Sequence, residues 1–115
     1  MRLMAKTPCV YMLASKRDGV LYIGVSSDMP RRMFEHVQGL VPGFTSRYKV
    51  VHLAYYEMHA SMEAAIKREK QLKEWKRAWK VRLIQEFNPE WRDLFDQATG
   101  EVADGPADLE RDRGS

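Results

Sequence analysis

The sequence is short of several things. It has one cysteine, Cys9, so no disulfide can form within the chain, and no CxxC or Cys/His cluster is available for a zinc ribbon. Cys9 sits in an apolar run and reads as a buried thiol of a reducing compartment. No stretch approaches the ~18 apolar residues of a membrane span. The opening "MRLMAKTP" lacks the apolar core of a signal peptide, so the expected location is cytoplasmic, with no membrane partner. Glycine is sparse. The stretch from "VLYIGV" into the next helix carries Gly24 alone, which is not a glycine-rich phosphate cradle. No internal repeat is evident.

What is present is an ordinary globular composition, 44% hydrophobic and 30% charged over 115 residues, enough for one core in one domain. Net charge is +3, unevenly spread. Setting aside residues 98–115, with two basic and five acidic side chains, leaves 17 basic and 11 acidic, or +6. A basic body suits a polyanionic partner, although solvated lysines explain it equally.

Turn and cap signals divide the chain. "CVYMLAS" and "VLYIGV" are short β-prone runs joined by "KRDG", whose Asp-Gly marks a tight turn, so the pair reads as a hairpin. Period two puts Cys9, Tyr11 and Leu13 on one face of the first strand and Val20 and Tyr22 on one face of the second. "SSDMPRRMFEHVQG" reads as a helix, with Ser or Asp before its start, Pro30 in its first turn and Gly39 at its end. Its expected apolar stripe is Met29, Met33, Phe34 and Val37, with Arg32 and His36 stacked beside it. "LVPGFTSRYK" is expected to be a loop. Val50–Met58 is a third strand, Met62 to about Trp75 a helix capped by Ser61, and about Ala78 to Phe87 another, ended before Pro89. "NPEWRDLF" is expected to pack back on the body. The order β-β-α-β-α-α implies an α/β (α+β) fold, a three-stranded antiparallel sheet flanked by helices. The expected division is an N-terminal tail (1–7), a catalytic domain (8–97) and a disordered acidic tail (98–115).

Two groups of residues stand out. Glu69 falls among Met62, Ala65, Ile66 and Leu72 on the apolar face of its helix, where a carboxylate needs a pairing lysine or a metal ion. Arg32 and His36 follow the Tyr22-Gly24 strand, and Gly24 would let the chain turn into their helix. Two phenols (Tyr11, Tyr22), a guanidinium, an imidazole and a carboxylate could meet on one patch. Lys67, Arg68, Lys70, Lys73, Lys76 and Arg77, interleaved with Trp75 and Trp79, could track a phosphate backbone or form a solvated face.

"VYM" at 10–12 and "YIG" at 22–24, followed by "SSDMPRRMFEH" and "AAIKREKQLKEW", resemble the GIY-YIG nuclease domain. Cys9-Val10 stand where the first motif has Gly-Ile, while Tyr11 and the whole second motif are kept. The resemblance runs from about Pro8 to Leu94 and looks most like small stand-alone bacterial members. It implies a divalent-metal-dependent endonuclease acting on nucleic acid, DNA ahead of RNA. Tyr11 would be the general base, Tyr22 would orient water or phosphate, Arg32 would clamp a phosphate oxygen, and His36 would sit beside them. Glu69 would bind Mg²⁺ or Mn²⁺, and Asn88 matches a late polar position. A phenol is a poor base at neutral pH, so nearby positive charge from His36, Arg32 or the metal is expected to lower its pKa. The alternative is a non-catalytic nucleic-acid-binding module on the same fold.

Overall fold

A computed structural model describes residues 7–103. Strands β1 (Cys9–Ala14), β2 (Leu21–Ser26) and β3 (His52–Met58) form an antiparallel sheet in the order β2-β1-β3. The central strand β1 is buried along its whole length. Helix α1 (Met29–Val37) follows β2, and Asp28 caps it by accepting from the Arg31 N–H. Helices α3 (Met62–Glu74) and α4 (Arg77–Phe87) come after β3. The expected fold class is therefore the observed one.

The sheet carries a core on each face. Cys9, Tyr11, Leu13, Leu53 and Tyr56 pack with Met29 and Met33 of α1 and with Leu94 and Phe95. Val10, Met12, Ile23, Ala54 and Tyr55 pack with Ala65, Leu72 and Ile84 from α3 and α4. Leu53 and Tyr56 share a face although they are three apart, because a bulge opposite Met12/Leu13 leaves Ala54 unpaired. Phe34 and Ile66, expected on apolar stripes, are 52% and 38% exposed. Each lies at the margin of its stripe, outside the faces that Met29 and Met33 or Ala65 and Leu72 bury.

The expected loop between α1 and β3 contains a single helical turn, α2 (Phe44–Tyr48). Gly43 enters it at φ 100° and Lys49 leaves it in the left-handed conformation at φ 56°. One turn is too short for apolar periodicity to reveal it. Strand β3 begins at His52, later than expected, because the Val50 N–H bonds back to the Thr45 carbonyl at 2.9 Å.

The Asn88–Phe95 segment does fold back. The Asn88 amide donates to the carbonyls of Ala54 (3.0 Å) and Arg92 (2.8 Å), and its oxygen accepts from the Arg92 N–H (3.0 Å). Asn88 is fully buried and acts as a lock within the fold. Residues 98–103, expected to begin a disordered tail, are instead ordered. Strand β4 (Phe95–Asp96) pairs with β5 (Glu101–Val102) around Gly100 at φ 75°, and Val102 is fully buried. Tyr56 donates its hydroxyl to the Ala103 carbonyl. The rest of the expected tail, 104–115, lies outside the described residues. Among the described residues no helix is long and apolar enough to cross a membrane.

Candidate active site

The hairpin register sets the site. Tyr11 stands opposite Gly24, and Leu13 opposite Tyr22, so both tyrosines point from the sheet toward α1. Their ring centroids are 6.3 Å apart. His36, in the last turn of α1, meets both rings edge-on at 5.7 Å. The Tyr11 hydroxyl lies 3.0 Å from His36 Nε2, and Nδ1 of the same ring lies 3.1 Å from Thr45 Oγ1. Tyr11, His36 and Thr45 are each 2% exposed.

Gly24 plays a different part from the expected one. It lies inside β2 rather than in the turn into α1. A Cβ built there would overlap Cζ and the hydroxyl of Tyr11 and would fall 2.9 Å from Cε2. The phenol occupies the space a side chain would need, so Gly24 admits Tyr11 rather than bending the chain.

Arg32 stands one turn before His36. Its side chain is 39% exposed and only loosely paired, with Nη1 3.6 Å from Glu35 Oε1. It lines a polar cleft with Ser26, Ser27, Asp28, Arg31 and Glu35. A guanidinium so placed keeps its planar fork open to an anion. Glu69 comes from α3, which packs against β2 and β1 from the opposite layer. Its side chain is 14% exposed, and its carboxylate pairs with Lys73 Nζ at 3.0 Å.

The electrostatics differ from expectation. Burial pushes the Tyr11 phenol well above its usual range; Tyr22 and Glu69 push the same way, and Arg32 opposes them. Burial, aided by Arg32, pulls His36 down to about 4. His36 is thus neutral near pH 7 and supplies no positive charge to the phenol. It offers a buried proton acceptor instead. Arg32 thus acts on both Tyr11 and His36, and Glu69 acts weakly on Tyr11.

Among the described residues no group of three or more His, Cys, Asp or Glu side chains forms a ready-made metal cage. A single, largely buried carboxylate suits a hard cation that keeps most of its waters and shares its shell with substrate phosphate. Glu69 fits that chemistry.

The basic run divides in two. Arg68 is occupied by Glu57, with bonds of 2.8 and 3.3 Å, and lies over Trp75 at 5.3 Å. Arg77 donates to the carbonyls of Asp18 (2.8 Å) and Gly19 (2.7 Å), tying α4 to the hairpin turn. Both arginines have partners within the fold, and the Arg77 side chain is 50% exposed. Lys67 and Lys70 are exposed, and Lys76 lies 6.0 Å over the Trp79 ring. Lys73 and Lys80 line a cavity with Tyr22 and Phe44, next to the catalytic candidates.

Sequence reading missed Thr45 and Phe44. Phe44 stacks on Tyr22 at 6.3 Å and 22°. Both sit in α2, and the only available signal was Gly43, a helix entry easily taken for an ordinary turn.

The sequence pattern of the GIY-YIG catalytic domain matches residues 7–82. UPF0213 proteins of Staphylococcus aureus strains Mu50, N315 and MW2 are each 39% identical over 69 residues, covering 60% of this chain and 84% of theirs. No solved structure matches the chain. With the tyrosine of each motif on adjacent strands of the sheet, and the pattern spanning most of the chain, the protein belongs to the GIY-YIG catalytic domain family of nucleases.

Proposed function

We propose that the protein is a divalent-cation-dependent endonuclease that hydrolyses phosphodiester bonds in nucleic acid, DNA ahead of RNA. The observation that carries this reading is the buried 3.0 Å contact between the Tyr11 hydroxyl and His36 Nε2, within the field of Arg32 and Glu69. A pure binding module has little use for such a pair, or for an inward carboxylate that repels phosphate.

Tyr11 is the general base. Its own proton passes to His36 Nε2 as the phenol oxygen takes one from the attacking water, so no free phenolate has to persist at neutral pH. The water oxygen bonds to phosphorus, the bond to the leaving oxygen breaks, and the leaving oxygen is protonated from solvent. Arg32 holds a non-bridging oxygen through its fork and offsets the charge that builds there. Tyr22 orients the water or the phosphate. Glu69 would hold Mg²⁺ or Mn²⁺, which when bound supplies Lewis acidity at the phosphate and positive charge beside the phenol. Lys67, Lys70, Lys73 and Lys76, joined by Lys80, carry the flanking phosphates and add salt-dependent affinity without sequence preference.

A cleavage assay on labelled DNA and RNA of varied structure, with Mg²⁺, Mn²⁺ or EDTA, tests the reading. Wild type should cut with either metal and not in EDTA. Glu69→Ala and Tyr11→Phe should each lose at least about 10²-fold while remaining folded. Full activity in Glu69→Ala removes the metal-ligand role. Binding with no metal-dependent cleavage on any substrate would make the protein a non-catalytic nucleic-acid-binding module.

A further inference from the structure

Both ring nitrogens of His36 are engaged in the interior, Nε2 with the Tyr11 hydroxyl at 3.0 Å and Nδ1 with Thr45 Oγ1 at 3.1 Å. A neutral imidazole has one N–H and one bare nitrogen, so two proton arrangements satisfy these contacts. In the first, Tyr11 donates to Nε2, and the Nδ1–H donates to the threonine oxygen. In the second, the threonine hydroxyl donates to Nδ1, and the Nε2–H donates to the phenol oxygen. The first pairs the better acid, a phenol, with the strongest acceptor present, a bare imidazole nitrogen. The second makes an acceptor of a phenol oxygen whose electrons are drawn into its ring. Only the first leaves Nε2 able to receive the Tyr11 proton.

We infer that Thr45 is a positioning residue: its hydroxyl accepts the Nδ1–H of His36 and holds the imidazole in the tautomer whose Nε2 faces Tyr11. The consequence for rate rests on the nuclease reading; the tautomer does not. The fold puts Thr45 there deliberately. Its carbonyl accepts from the N–H groups of Lys49 and, at 2.9 Å, Val50, so the backbone that carries the hydroxyl is tied to the end of α2. The groups that face His36 are Tyr11 from β1, Tyr22 from β2, and Arg32 and Glu35 from its own helix. From α2 comes the Thr45 hydroxyl, and Ser46 and Lys49 line the same cleft as His36. Without the Thr45 hydroxyl the Nδ1–H would be buried and unsatisfied, and the ring would move its proton to Nε2. Tyr11 would then lose its acceptor.

Nitrogen NMR of the His36 ring at pH 7, alongside the cleavage assay, tests this on wild type, Thr45→Val and Thr45→Ser. Wild type and Thr45→Ser should carry the proton on Nδ1. Thr45→Val, which keeps the shape, should carry it mainly on Nε2. Cleavage should fall roughly tenfold in Thr45→Val and return to within about twofold of wild type in Thr45→Ser, a fraction of what a positioned base contributes. An Nε2–H tautomer in wild type overturns the inference, as does a Thr45→Val ring that keeps its proton on Nδ1. A wild type that cleaves nothing refutes the nuclease reading and leaves the NMR result to decide the role of Thr45.

Discussion

Gly24→Ala is a change of one methyl group with a large expected effect. The added Cβ would overlap the far end of the Tyr11 ring. Such overlaps are cheap when a flexible side chain can swing away. Tyr11 cannot, because it is 2% exposed, packed against Tyr22 and His36, and held by its hydroxyl. Overpacking of this kind costs about 1–3 kcal/mol. Alanine in a strand interior otherwise gains about 0.5–1 kcal/mol over glycine, so the clash must outweigh a favourable propensity. The net loss should be about 1–2 kcal/mol, a fall in Tm of about 4–8 °C per kcal/mol for a domain of this size. Urea unfolding of wild type, Gly24→Ala, Tyr11→Leu and the double variant measures it. Leucine does not reach the space over Gly24, so in that background Gly24→Ala should be neutral or stabilising. The sign should reverse between the two backgrounds. If the two changes add, with the alanine costing the same in both, the glycine is not there to admit the phenol and the argument fails.

Other consequences follow from the same geometry. His36 is held near 4 when folded against about 6.5 when unfolded, so below 6.5 the unfolded chain takes up a proton that the folded one refuses. Stability should be complete above pH 6.5 and fall by about 2–3 kcal/mol as pH drops to about 4; His36→Gln should flatten that window in unfolding titrations. Lys73→Ala should weaken nucleic-acid binding and lower the slope of log K against log salt by about 1, whereas Arg68→Met should leave the slope alone and cost about 1–3 kcal/mol of stability by removing the arginine paired with Glu57, which keeps Tyr55 and His59. Asn88→Ala removes three hydrogen bonds at a fully buried position and should cost about 2–4 kcal/mol in denaturant unfolding.

The local signals in the chain carried most of the architecture. Asp-Gly placed the hairpin, and Ser61 and Pro30 placed helix starts, because each acts through its own backbone. Period two put Tyr11 and Tyr22 each on a face of its own strand, and the register, with Tyr11 opposite Gly24 and Leu13 opposite Tyr22, sets them on the same side. What stayed hidden depends on contacts distant in sequence. The purpose of Gly24 is a tyrosine on the neighbouring strand, and Arg77 looks like one more basic residue until the carbonyls of Asp18 and Gly19 arrive beside it. Val102 and Ala103 were too few apolar residues to stand out in an acidic stretch, yet Tyr56 and Leu94 provide them a place to bury. The pKa of Tyr11 was misjudged for a related reason: charge near the phenol was legible, but depth was not.

The bulge in β3 has a consequence for how this chain can vary in length. Because Ala54 has no partner on β1, the residues before and after it keep opposite phase relative to the pleat. Deleting that single residue would restore a regular ladder and leave Leu53 opposite Leu13 and Tyr55 opposite Met12, each on its present face. Leu53 and Tyr56 would stay in one core and Tyr55 in the other; what would go is the Ala54 methyl and the carbonyl that accepts from the Asn88 amide. Loops elsewhere in the molecule can gain or lose a residue at the surface. Here a relative one residue shorter between Leu53 and Tyr55 would keep both layers in place and lose one of the anchors that hold Asn88.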